Sequence, residues 1–165
     1  MIICKLFLLS AIFLYMVTSA FSAEKLTIQD FVIYTALGER HIFSEVISEL
    51  PDNTLLIINF TSINCKPCRK EIPELREFHT QHPKQAKLIY IYAEAGKPVQ
   101  ENAKSLGVLN IAYVDPFGKA REIFFVKSVP TTILINKNKN IVARFDGYTE
   151  KNMNDIKAIL LEKKK

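Results

Sequence analysis

Two cysteines separated by two residues, Cys65 and Cys68, carry the most distinctive chemistry in this chain. The sequence contains three cysteines, and the third, Cys4, lies in an apolar N-terminal stretch. The thiolate is the form that attacks a disulfide, and the unpaired amide groups and positive dipole end of a helix N-terminus stabilise that form. We predict a helix that starts at Cys65 or Lys66. Cys65 is therefore the expected nucleophile, and Cys68, one turn later and more buried, the resolving thiol.

Two other roles for this pair fit the sequence less well. A structural disulfide here would close a four-residue loop, which is worth roughly 2 kcal/mol against ~3 for a 15-residue loop. A zinc site would use the later histidines, His79 and His82. Those residues lie ~11 positions further along the same predicted helix, a rise of ~16 Å, which is too far for one ion. We therefore expect no metal at the cysteines.

The first 22 residues have the pattern of a secretory signal peptide. Lys5 precedes an apolar run, and small residues follow it up to a predicted cleavage site after Ser22. The run from Leu6 to Phe21 is shorter than the ~20 residues that a membrane-spanning helix needs, which favours a signal peptide. An uncleaved membrane anchor that also uses Ile2 and Ile3 is the alternative. In either case residues 23–165 are predicted to form one domain that faces a periplasmic or other extracytoplasmic space.

The charge of the chain is mildly basic, with a formal net charge of +5. Lys163, Lys164 and Lys165 at the C-terminus supply much of it, and they are typical of a solvated helix end. The sequence has no glycine-rich phosphate-binding loop. We therefore expect no nucleic-acid partner and no cofactor.

The hydrophobic pattern predicts an α/β fold in which a central mixed β-sheet is flanked by helices. The first two strands form an N-terminal hairpin, and a continuous apolar strand directly precedes the cysteines. Strands are predicted at 31–34, 40–43, 55–60, 86–93, 111–114, 131–135 and 141–145. Helices are predicted from Ser44 as a cap to Leu50, from the cysteines to His79 with an interruption at Pro73, and at 98–106, 118–125 and 149–163.

Three segments resemble parts of the thioredoxin superfamily. The segment from Asn59 to Leu75 resembles the active-site segment of thioredoxin-like proteins, in particular the exported thiol-disulfide reductases of cytochrome c maturation. Residues 128–132 resemble the loop that carries the cis-proline of that superfamily, and residues 145–148 resemble the strand end before its last helix. The resemblance covers residues 26–161. It implies a thioredoxin-like fold in which the N-terminal β-hairpin is an extension.

The resemblance also implies which residues form the site. Cys65 and Cys68 would be a redox-active disulfide. Val129, Pro130 and Thr131 would bind the substrate, with a cis peptide bond before the proline, because the backbone of this loop could pair with an extended substrate strand.

Glu71 is the third catalytic residue that the resemblance implies. It lies one turn after Cys68, and reductases of this type have a functional glutamate at the matching position. An exposed helix carboxylate is the alternative. The chain departs from ordinary thioredoxins at Asn59, where they have a buried aspartate, and at Asn64, where they have a tryptophan. Glu71 is therefore the expected proton carrier.

We therefore predict an exported thiol-disulfide oxidoreductase that reduces disulfides of client proteins, for example in apocytochrome c. It would need a membrane electron donor, because an oxidising compartment does not keep thiols reduced. A monomer is expected. The alternatives are a disulfide-forming oxidase or isomerase and, from a different class, a redox-silent module that binds peptides on the loop around Pro130.

Overall fold

The computed structural model describes residues 28–162 of the chain, and its strands form one mixed sheet. The strands are β1 (Val32–Thr35), β2 (Arg40–Ile42), β3 (Leu55–Thr61), β4 (Ala86–Tyr92), β5 (Ala112–Val114), β6 (Thr131–Ile135) and β7 (Ile141–Asp146). Their order across the sheet is β2-β1-β5-β4-β3-β6-β7. Strands β3, β4 and β5 run parallel, whereas β6, β7 and the β1–β2 hairpin pair in antiparallel fashion. The predicted mixed sheet and N-terminal hairpin are confirmed.

Helices cover both faces of this sheet. They are α1 (Phe43–Ser48), α2 (Cys68–Gln81), α3 (Lys97–Ser105), α4 (Lys119–Ile123) and α5 (Glu150–Glu162), with a 3-10 turn at Leu109–Ile111. One apolar core cluster contains residues of α2, α3 and α5, and the other contains residues of α1 and α4. Strand β3 lies between them and is buried along its whole length, as its continuous apolar run predicts. It directly precedes the cysteines and places them at its carboxyl end.

The cap predicted for the first helix is wrong. Helix α1 begins at Phe43, so Ser44 lies inside its first turn. The carboxylate of Asp30 accepts hydrogen bonds from the Ser44 backbone N–H at 2.9 Å and from its hydroxyl at 2.5 Å. Glu45 accepts a further bond from the Ile42 N–H at 2.9 Å. Two carboxylates therefore satisfy the amides at the start of α1. The Ser44 hydroxyl acts as a hydrogen-bond donor and not as the acceptor that a helix cap supplies.

Helix α2 differs from its prediction at two points. It begins at Cys68 rather than at Cys65 or Lys66, and it runs through Pro73 to Gln81 without a break. A proline inside a helix removes one backbone hydrogen bond and normally kinks or ends the helix. Here the buried face of α2, which includes Ile72 and Leu75, packs into the core and holds the helix together across that position.

The other predicted elements occur with ends shifted by one or a few residues. Ile111 belongs to the 3-10 turn instead of strand β5. Residues 1–22, predicted as a signal peptide or anchor, and Lys163–Lys165 lie outside the described residues. Across residues 28–162, every helix is too short or too polar to cross a bilayer.

Candidate dithiol site

A tight turn between β3 and α2 carries the first cysteine. The Cys65 N–H donates to the carbonyl of Ser62 at 3.2 Å, and the carbonyl of Cys65 accepts from the Arg69 N–H at 3.3 Å. Cys65 and Cys68 are joined as a disulfide. The turn and the first turn of α2 thus hold both sulfurs at the carboxyl end of β3.

The two cysteines differ in access to solvent. Cys65 is 8% exposed and Cys68 is 1% exposed, so the predicted burial of the second cysteine is confirmed. The Cys68 backbone N–H donates to the sulfur of Cys65 at 3.2 Å. Although α2 starts two or three residues later than predicted, its first amide still points at Cys65. A thiolate on Cys65 would be stabilised by that amide and by the positive end of the helix.

Glu71 lies in the core beneath the cysteines and is 2% exposed. Its Oε1 accepts a hydrogen bond from the Thr132 hydroxyl at 2.8 Å, and its Oε2 accepts one from the Asn59 side-chain amide at 3.0 Å. The same amide donates to the Thr132 hydroxyl at 2.8 Å. An exposed carboxylate, the alternative for Glu71, is thereby ruled out. The three side chains connect α2 to the adjacent strands β3 and β6.

Burial raises the pKa of Glu71 above its ordinary value. The hydrogen bonds from Thr132 and Asn59 favour the ionised form and offset part of this effect, and the charge of Glu74 adds to the rise. Below this group, the hydroxyl of buried Tyr90 donates to the carbonyl of Ile72 at 3.0 Å. A carboxyl with a raised pKa holds a proton more readily than an ordinary glutamate, and this makes Glu71 a candidate for proton transfer.

The loop before β6 contains a cis peptide bond between Val129 and Pro130, which confirms that prediction. The carbonyl of Pro130 accepts from the Gly147 N–H at 2.8 Å. The buried Thr131 hydroxyl shares its single proton between two acceptors, the carbonyl of Ser128 at 2.8 Å and the carboxylate of Asp146 at 2.9 Å. The side chain of Thr131 therefore braces the loop from inside, and half-buried Val129 packs against the core cluster that contains both cysteines.

Sequence reasoning missed Thr132 and the support of the loop by Arg144. Arg144 on β7 donates to the carbonyls of Phe124 and Phe125 at 2.6 Å and 3.2 Å, and it forms an ion pair with Asp146 at 2.9 Å. The only sequence signal for Thr132 is its place two residues after Pro130. The strand register explains its role, because Asn59 and Thr132 are direct partners across β3 and β6.

His79 and His82, the residues of the zinc alternative, lie at the far end of α2. His82 packs against the ring of Phe78 at a centroid distance of 4.6 Å. Among residues 28–162, histidine, cysteine and acidic side chains form no group of three or more that could hold a metal ion.

The model of the Redoxin family matches residues 32–160. The chain belongs to the Redoxin family. It is 28% identical over 118 residues to the thiol-disulfide oxidoreductase ResA of Geobacillus kaustophilus (strain HTA426), a match that covers 70% of this chain and 64% of the relative. The ResA protein of Geobacillus thermodenitrificans (strain NG80-2) is 28% identical over 145 residues, or 82% of this chain and 80% of that protein.

A solved structure gives the same fold. The crystal structure of StoA from Bacillus subtilis aligns with a TM-score of 0.63 and 20% identity, and the alignment covers 81% of this chain and 97% of StoA. The predicted thioredoxin-like fold and superfamily are confirmed. The Redoxin match and the names of the relatives agree with the enzyme class that the sequence predicts.

The burial of Glu71 leads to a prediction about stability and pH. Below its ordinary pKa of 4.5, the carboxyl is protonated in both folded and unfolded chains, and its contribution to stability is fully present. As pH rises, Glu71 ionises first in the unfolded chain. Its contribution to stability therefore falls steadily until the pH exceeds the raised pKa of Glu71 in the folded chain. Each pH unit between the two values is worth about 1.4 kcal/mol.

We therefore expect oxidised Glu71→Gln to gain stability relative to the wild-type protein as pH rises from 4 to 7. Thermal melts across this range measure the difference. Glu77→Gln, an exposed change on the same helix, is the matched control and should show a pH-independent difference. A Glu71→Gln difference that is equally independent of pH would contradict the raised pKa of Glu71.

Proposed function

We propose that this chain is an exported thiol-disulfide oxidoreductase that reduces disulfide bonds of client proteins. The observation that carries the proposal is the pairing of Cys65, whose sulfur accepts a helix amide at 3.2 Å, with a more deeply buried Cys68. The Redoxin match and the similarity to two oxidoreductases support it.

The reaction consists of two exchanges. The Cys65 thiolate attacks one sulfur of the client disulfide, forms a mixed disulfide and releases the other client sulfur as a thiolate that takes up a proton. Cys68 then loses its proton and attacks the sulfur of Cys65, so the bond between Cys65 and the client breaks and the second client sulfur leaves as a thiolate that takes up a proton. The client gains two electrons and two protons, and the enzyme ends with the Cys65–Cys68 disulfide. Glu71, one helical turn from Cys68, is the proposed acceptor of the Cys68 proton.

The loop around the cis-proline is the proposed client-binding surface. An extended client segment would pair with the backbone of Val129, while Pro130 and Thr131 hold that backbone in place. Clients with a disulfide in a flexible segment, such as an apocytochrome c, would fit this mode of binding.

Export and reduction complete the proposal. Residues 1–22 would direct the chain to an extracytoplasmic space, by cleavage or as an anchor, and the enzyme would act there as a monomer. A membrane electron donor would then restore the dithiol, because such compartments oxidise free thiols.

An insulin-reduction assay with dithiothreitol as donor tests the core of the proposal, and a wild-type protein that does not accelerate the reaction would refute it.

The reduction potential separates a reductase from an oxidase. We expect a value on the order of -270 mV, near that of thioredoxin, because Pro67 in the C-x-x-C segment is typical of the reducing members of the superfamily. Equilibration with dithiothreitol buffers, followed by thiol labelling, gives the value. A potential near the -120 mV or so of a strong oxidase would instead favour disulfide formation.

A further inference from the structure

The turn that carries Cys65 is held by a carboxylate from the neighbouring strand. Glu94 lies two residues after the end of β4, and its Oε1 accepts a hydrogen bond from the Ser62 hydroxyl at 2.5 Å. Its Oε2 lies 3.4 Å from the Ile63 N–H, which donates to it. Strands β3 and β4 are paired up to Thr61, and the Thr61 carbonyl also accepts from the Ala93 N–H at 3.2 Å. The backbone on which Glu94 stands is therefore fixed to the strand that leads to the cysteines.

Ser62 connects this carboxylate to Cys65. Its carbonyl accepts the Cys65 N–H at 3.2 Å, while its hydroxyl donates to Glu94 and accepts from the Asn64 N–H at 3.4 Å. From the helix side, Arg69 donates to the carbonyl of Ile63 at 3.3 Å. Glu94 therefore contacts the turn through Ser62 and Ile63. Both Glu94 and Ser62 are half-buried, which limits competition from water.

We propose that Glu94 is a positioning residue for Cys65 and that it acts through Ser62. By fixing the start of the turn, it keeps Cys65 where it meets Cys68 and so favours the disulfide over the dithiol. When the disulfide opens, Cys65 is released from Cys68. The turn then gains more conformational freedom if the Glu94 contact is absent than if that contact is present. Loss of the contact therefore favours the dithiol. The inference rests on the proposed redox function of the two cysteines.

Equilibration with glutathione measures this preference. Two glutathione thiols reduce the Cys65–Cys68 disulfide, so one S–S bond breaks in the protein and one forms in glutathione disulfide. Two electrons and two protons pass to the protein, and the charge and atoms balance. The fraction of reduced protein at known glutathione ratios gives the equilibrium constant.

We expect Ser62→Ala to shift this equilibrium toward the dithiol by roughly three- to tenfold, as expected for a typical intramolecular hydrogen bond. Glu94→Ala should shift it at least as far, because it also removes the contact with the Ile63 N–H. The double variant should shift it no further than Glu94→Ala alone, because both single changes remove the hydrogen bond between Glu94 and Ser62. Glu94→Gln keeps an oxygen that can accept from Ser62 and should shift it less than Glu94→Ala. Glu101→Ala is the control, since it removes an exposed carboxylate of α3 whose ion-pair partner is Lys97 at 3.7 Å.

Different results separate the two proposals. Additive effects of the two single changes, or a Ser62→Ala variant with the wild-type equilibrium, would overturn the role of Glu94 through Ser62. The same holds if Glu101→Ala shifts the equilibrium as much as Glu94→Ala. If Glu94→Ala does not fold, the comparison of Ser62→Ala with Glu94→Gln decides the question. A wild-type protein whose cysteines do not exchange with glutathione would instead refute the proposed function itself.

Discussion

Cys68→Ser is expected to capture client proteins as stable mixed disulfides through Cys65, whereas Cys65→Ser is expected to capture almost none. The reason is the difference in access and environment between the two sulfurs. Cys65 is 8% exposed and accepts the Cys68 amide N–H, while Cys68 is 1% exposed within the first turn of α2. Either change should also abolish catalysed insulin reduction, because turnover needs both thiols.

Trapping is measured with an extracytoplasmic extract or a model client that contains one disulfide, using non-reducing gels and mass spectrometry of the linked peptides. The variant that lacks both Cys65 and Cys68 is the control for disulfides formed by other routes. Equal trapping by the two single variants would overturn the assignment of nucleophile and resolving thiol. Loss of trapping in both, with the fold intact, would favour the redox-silent peptide-binding module.

The order of strands and helices could be predicted because each depends on local hydrophobic pattern. The apolar run of β3 and the polar loop between β6 and β7 are visible in the sequence, and the structure has both. The predicted helix cap was wrong because its actual hydrogen-bond partner is distant in the sequence. Asp30 replaces Ser44 in binding the first turn of α1 although 14 positions separate them in the chain.

The site shows the same limit. The two cysteines and the cis-proline loop are recognisable from short motifs, but the Glu71 contacts depend on strand register. In the sequence Asn59 indicates the loss of a buried carboxylate, yet in the structure its amide binds the Glu71 carboxylate at 3.0 Å. The acidic group is in effect supplied by α2 instead of β3. Neither Thr132 nor Glu94 could be assigned from sequence, because 61 positions separate Thr132 from Glu71 and 32 separate Glu94 from Ser62.

Two buried oxygens on the same face of β3 lie beside this network. Among the described residues, Asn59 Oδ1 and Thr61 Oγ1 have no hydrogen-bond partner. Both side chains belong to β3 and alternate with Phe60 between them, so they face the same side of the sheet as α2 and the cysteines. Buried polar atoms without partners are costly, and they concentrate at functional sites.

Glu71→Gln should slow the resolution of the mixed disulfide on the order of 10²-fold, the usual contribution of a general base. The substituted glutamine would fill the same space but could not accept the Cys68 proton. Because the pKa of Glu71 is raised by burial, its ionised fraction grows with pH above the ordinary 4.5. The resolution rate of the wild-type protein should therefore rise with pH as Glu71 ionises, and the rate of Glu71→Gln should lack this rise.

Single-turnover kinetics with a mixed disulfide preformed between Cys65 and a chromogenic thiol isolate the resolving step from client binding. The measurement is repeated between pH 4 and 9, and Glu77→Gln again serves as the exposed control on α2. A uniform drop in rate with an unchanged pH profile would mean that Glu71 only supports the fold around Cys68. A wild-type rate and pH profile in Glu71→Gln would show that Cys68 loses its proton without this carboxylate.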